Sequence, residues 1–83
     1  MDFWSATVIV RCDHPGDRPL CAAVARAFAR ESGLSEVASA ELATSVAELV
    51  SNLVRHAGSG ELIVRRVDRP VPALEVEVSD KGP

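Results

Sequence analysis

Ser35-Glu-Val-Ala-Ser-Ala-Glu-Leu-Ala-Thr-Ser-Val-Ala-Glu-Leu-Val-Ser-Asn-Leu-Val-Arg-His-Ala-Gly58 carries the strongest pattern in the chain. Ser35 sets a hydroxyl ahead of the first turn of a helix, Glu36 stands near its positive end, and Gly58 supplies a left-handed stop after Ala57. The helix between them has about six turns at 3.6 residues each. Steps of about 100° place Leu42, Val46, Leu49, Val50, Leu53, Val54 and the alanines 43, 47 and 57 on one broad apolar arc. A helix of this kind needs a second layer to cover that arc.

The flanking segments supply it. Upstream, residues 3–12 alternate, with Trp4, Ala6, Val8, Val10 and Cys12 on one side and Ser5, Thr7, Ile9 and Arg11 on the other, which predicts a strand with one buried face. Asp13-His14-Pro15-Gly16-Asp17 is turn chemistry. Asp17 is placed to cap a helix whose apolar positions Leu20, Ala23, Val24, Ala27 and Phe28 share one face, and Gly33 ends it. Downstream, Glu61 to Val67 reads as a strand, Leu74 to Ser79 alternates as Leu-Glu-Val-Glu-Val-Ser, and the proline-containing residues 68–72 join them as a hairpin. The order β-α-α-β-β, with no internal repeat or linker, predicts a single α+β domain over residues 1–83, a two-layer sandwich with both helices on one face of a sheet.

Composition narrows the function. Nine Lys and Arg against twelve Asp and Glu give a net charge of −3, which offers no general attraction to nucleic acid or to an anionic membrane. Arg or Glu interrupts the apolar stretches short of the roughly 18 residues a membrane helix needs, and the start lacks a basic segment followed by an apolar run, so the expectation is a cytoplasmic protein. A chain of this length buries only about 60 to 65% of its unfolded surface, so stability is marginal. Cys12 and Cys21 read as reduced structural thiols, and with His14 they match no tetrahedral zinc spacing.

The long helix also carries chemistry. Glu48, Asn52 and His56 stand four residues apart, a narrow polar stripe beside the apolar arc, with Glu41 and Ser45 on the same side. Asn is a poor helix-interior residue, costing roughly 0.5 to 0.7 kcal/mol against Ala, and Asn52 is far from either end. Its carbonyl is a hard ligand suited to Mg²⁺, and the Glu48 carboxylate one turn away can accept a proton from an attacking hydroxyl. At the other end, Ser79-Asp80-Lys81-Gly82-Pro83 brings an acidic residue to a strand terminus ahead of a glycine. A carboxylate there can accept a hydrogen bond from the exocyclic amine of adenine, and glycine lets a base approach the backbone.

Glu48-Leu-Val-Ser-Asn52-Leu-Val-Arg-His56-Ala57 resembles the N box of the GHKL superfamily of ATPases, which takes in gyrases and histidine kinases. Asp80-Lys-Gly82-Pro83 resembles the first half of its G1 box, Asp-x-Gly-x-Gly. The helix-Gly-helix lead-in, the Ala57-Gly58-x-Gly60 exit and the hairpin are most similar to the small bacterial anti-sigma-factor serine/threonine kinases, the stressosome switch kinases in particular. The resemblance implies a Bergerat-type fold with helices on one face of a mixed sheet, ATP and Mg²⁺ as cofactors, Asn52 as metal ligand, Glu48 as general base, Asp80 and Gly82 at the adenine, and His56 at the nucleotide. It implies partners too: a STAS-type antagonist as phosphoacceptor, with a sigma factor, a phosphatase activator or a second copy as others. The sequence stops before the second glycine of the G1 box, so the expectation is the amino-terminal part of such a domain.

Two other readings fit some residues. Ala29, Gly33, Ser35 and Leu42 have spacings found in helix-turn-helix DNA binders, but residues 36–54 contain no Lys or Arg and carry Glu36, Glu41 and Glu48, which repel phosphates. The other keeps the fold without the activity, as a module that only binds a sigma factor or an antagonist. Phosphotransfer separates that module from a kinase.

Overall fold

The computed structural model describes residues 7–67 and 73–80. Strand β1 (Thr7–Cys12) leads through a one-turn 3-10 helix (Pro15–Asp17) into α1 (Arg18–Glu31), then α2 (Glu36–Ala57), β2 (Gly60–Val67) and β3 (Ala73–Asp80). The expected order holds. Residues 3–6 of the first predicted strand, the predicted hairpin loop 68–72 and Gly82 lie outside the described residues.

The two helix ends between α1 and α2 are set as the sequence suggests. Gly33 adopts φ +98°, and the Gly33 and Leu34 amides donate to the Arg30 and Ala29 carbonyls at 3.1 and 3.0 Å, closing α1 with a left-handed turn. The Ser35 hydroxyl accepts from the Ala38 amide at 3.1 Å and starts α2; Gly58, at φ +86°, stops it by donating to Val54 O at 3.0 Å. Arg26 and Arg30 reach Glu36 at 3.2 and 3.3 Å across this corner. Both pairs are exposed, so each contributes at most about 1 kcal/mol.

Because two helices rather than one separate β1 from β2, the chain reverses an odd number of times and β2 returns antiparallel. The described sheet has the order β1-β2-β3 and is antiparallel throughout, where a mixed sheet was expected. Register lines up Val8, Val64 and Val76, then Val10, Leu62 and Val78, then Cys12, Gly60 and Asp80. These rows share one face, since side chains alternate along a strand. Leu62 and Val64 there are fully buried against Val46, Val50 and Leu53 of α2. The opposite face carries exposed Ile9 and an Arg65 that reaches Glu75 and Glu77 at 3.6 and 3.4 Å.

Two local expectations fail. Asp17 does not cap α1: its carboxylate turns back to accept from the Asp13 and His14 amides at 2.8 and 3.3 Å, and these hydrogen bonds, that from Asp13 foremost, hold its pKa below the ordinary carboxylate value. The buried line of α1 is Cys21, Ala25 and Ala29, whereas Leu20 is 56% exposed and Ala23 and Ala27 also face outward. Small residues at the contact let α1 approach α2 closely, and the bulky Leu20 is left outside. One expectation about membranes also changes: by length and composition α2 is apolar enough to cross a membrane, although in this fold Val46, Val50 and Leu53 are spent on the core.

Candidate nucleotide site

α2 presents Glu48, Asn52 and His56 to the surface, all three exposed, along one line of the helix. They lie beside the half-exposed Leu49, where the apolar arc meets solvent. Among the described residues nothing hydrogen-bonds Glu48 or His56. Asn52 is engaged: its Oδ1 accepts from Arg55 Nη2 at 2.6 Å. The carbonyl oxygen that the sequence marked as a ligand atom is thus oriented by a cation three residues on.

Arg55 links the stripe to a cleft of about 710 Å³ lined by Pro15, Arg18, Val50, Ser51, Val54 and Arg55. Arg18 Nη1 donates to Ser51 Oγ at 3.1 Å across its mouth. Neither Arg18 nor Arg55 has a carboxylate partner among the described residues. Two unneutralised guanidiniums beside Asn52 create a positive potential in a chain of net negative charge, suited to phosphate oxygens.

Asp80 enters from the sheet. It ends β3, pairs with Gly60 and shares the helix-facing side of the sheet with Val76 and Val78. Gly60 leaves no room for a side chain between strand and helix: a Cβ there would lie 2.5 Å from Ser79 O, 2.9 Å from Leu53 Cδ1 and 3.0 Å from the Asp80 Cα. Leu53 adjoins Asn52. The structure therefore brings Asp80 to the same end of the sandwich as the Asn52 stripe.

This donor set fits Mg²⁺ only in company. No group of three His, Cys, Asp or Glu side chains able to hold a metal occurs among the described residues. Asn52 supplies one hard oxygen, which matches Mg²⁺ bound mostly by water and nucleotide phosphates rather than by a protein cage. Sequence reasoning gave no site role to Arg18, Ser51 or Arg55, and took Gly60 only as part of the helix exit. Arg55 was within reach, since residues i and i+3 meet on a helix. Arg18 and Ser51, 33 positions apart, meet only through tertiary packing.

A long core helix with an exposed Glu-x-x-x-Asn stripe, laid on an antiparallel hairpin that ends in Asp80, is the arrangement expected of the GHKL class of α+β sandwiches. The chain belongs to the histidine kinase-like ATPase domain family, whose profile matches residues 15–83. Among curated proteins and solved structures, none matches it. Membership makes this an ATPase-type domain, and ATP the nucleotide that the family implies.

Proposed function

We propose that this domain is an ATP- and Mg²⁺-dependent serine/threonine kinase that phosphorylates an antagonist protein and so switches the partners of a sigma factor in the cytoplasm. The observation that carries this reading is the pairing of Asn52, its carbonyl oxygen oriented by Arg55, with the Glu48 carboxylate one turn away, at the end of the sandwich where Asp80 closes the sheet. Bound Mg²⁺ would neutralise charge on the phosphates. Asn52 would hold it, Arg18 and Arg55 would meet the phosphate oxygens, and Asp80 with Gly82 would accept and accommodate the adenine, with His56 beside the nucleotide.

In the transfer, the hydroxyl oxygen of the acceptor Ser or Thr forms a bond to the γ-phosphorus while the bond to the bridging oxygen of ADP breaks. Glu48 receives the hydroxyl proton. The acceptor fits a STAS-type antagonist by the likeness to switch kinases; a sigma factor, a phosphatase activator or a second copy would use other surfaces.

Glu48 and Asn52 separate kinetically in the protein that carries this domain. Glu48→Gln keeps shape and removes the proton acceptor, so Mg-ATP affinity survives and single-turnover phosphotransfer drops about 10² to 10⁴-fold. Asn52→Ala removes a ligand present in ground and transition states, so binding and turnover fall together. Near-parental phosphotransfer by Glu48→Gln rejects the base; ATP binding without transfer to any protein acceptor, in the parent itself, leaves a binding module or a plain ATPase.

A further inference from the structure

Cys12 ends β1 and Cys21 sits in the second turn of α1, nine residues on. Both side chains are fully buried, and their Sγ atoms lie 3.1 Å apart. The two thiols form a short chain of donors: Cys12 Sγ–H reaches Val10 O at 3.6 Å, which leaves the Cys21 thiol to donate to Cys12. Nothing in the proposed phosphotransfer uses either group. Buried thiols of this kind are usually inert packing, but packing alone does not require two sulfurs in contact between different elements.

From this juxtaposition we infer that Cys12 and Cys21 are a site of reversible oxidation, an intrachain disulfide formed by peroxide that staples β1 to α1. The balance is simple. One thiol, deprotonated during local opening, attacks hydrogen peroxide and becomes a sulfenic acid as hydroxide leaves. The second sulfur, already in contact, attacks that sulfur, and the sulfenic hydroxide departs with the second thiol's proton as water. The pair loses two electrons and the peroxide gains them. Burial foremost, with the hydrogen bond to Cys12, pushes the Cys21 thiol up to about 12, so the closed state resists oxidation and reaction waits on opening.

The pair is shallow enough for that opening. Asp13, His14, Pro15 and Gly16 between the two elements are all exposed, as is Leu20 beside Cys21. The bond would fix the first turns of α1, including Arg18 over its cleft, onto the strand row that runs through Gly60 to Asp80. It therefore ties together the walls of the candidate site without using any residue of the stripe.

The test treats the folded protein with excess hydrogen peroxide, unfolds it in denaturant with maleimide, and weighs it intact. The expected product is a monomer lighter by two hydrogens with Cys12 and Cys21 both protected from maleimide, a higher Tm than the reduced protein, and full reversal by dithiothreitol. Both cysteines still labelled, a gain of oxygen instead of a loss of hydrogen, or a dimer linked between chains each overturns the proposal. Cys21→Ser serves as control: under the same treatment its Tm stays at that variant's own untreated value and no intrachain bond forms, and an equal Tm rise on treatment in that variant also overturns the proposal.

Discussion

Gly60 contributes by what it lacks. The Cβ of any other residue would press within 2.5 Å of Ser79 O and 2.9 Å of Leu53 Cδ1, and the first of these is backbone that cannot swing aside. Gly60→Ala must then push the end of β3 outward or lift α2 at Leu53, either of which separates Asp80 from Asn52. Overpacking of this kind costs about 1 to 3 kcal/mol. Gly60→Ala is expected to lower stability by that amount in urea melts and to weaken ATP binding beyond it, when both are compared under conditions where the variant is fully folded. Asp80→Asn, by contrast, leaves the melt near parental and weakens ATP selectively, since an amide puts a donor where the adenine amine needs an acceptor. Isothermal calorimetry on the two variants, alongside the melts, decides; equal ATP affinity of Asp80→Asn and parent removes Asp80 from the base-recognition role.

Within α2 two serines four residues apart make opposite contributions. Ser35 caps the helix by accepting from the Ala38 amide, so Ser35→Ala is expected to cost about 1 kcal/mol. Ser39 is fully buried, with no partner for its Oγ among the described residues, so Ser39→Ala removes an unsatisfied hydroxyl and should stabilise by about 1 kcal/mol. Urea midpoints that move in the same direction for both would contradict this assignment. The capped ends of α2 were legible because Ser35 and Gly58 act through local backbone geometry, and the alternating strands were legible because one sheet face is buried. The phase of α1 was not. Alanines at 22, 23, 25, 27 and 29 surround that helix with small apolar side chains, so periodicity allows two faces, and only close packing on α2 chooses Cys21, Ala25 and Ala29. Asp17 misled for a related reason: its carboxylate can cap forward or turn back, and the Asp13 amide, offered by the turn, wins. The stripe of Glu48, Asn52 and His56 was readable from spacing alone, while the Arg18 to Ser51 contact depends on how two helices meet.

As a whole the molecule has a thin core. Among the described residues the largest fully buried side chains are Leu62, Val46, Val50 and Val64, with no aromatic among them. One sheet face is covered by two helices and the other carries Ile9, Arg65 and glutamates, so a modest binding energy should be visible as a change in global stability. A ligand at a hundred times its Kd adds about 2.7 kcal/mol to the folded state. For a domain of this size that corresponds to an upward Tm shift on the order of 10 °C. The identity of the ligands that produce the shift reports which parts of the site act. If Asn52 holds Mg²⁺, Mg-ATP shifts Tm more than ATP with EDTA, and Asn52→Ala loses that difference. If Asp80 reads adenine, ATP outperforms GTP at equal concentration, and Asp80→Asn loses that preference while keeping the Mg²⁺ effect. If only the Arg18 and Arg55 cleft acts, inorganic tripolyphosphate matches ATP, and replacing both arginines abolishes every shift together. Differential scanning fluorimetry across these nucleotides and variants separates the three; no shift with saturating Mg-ATP in the protein that carries this domain would reject the nucleotide site itself.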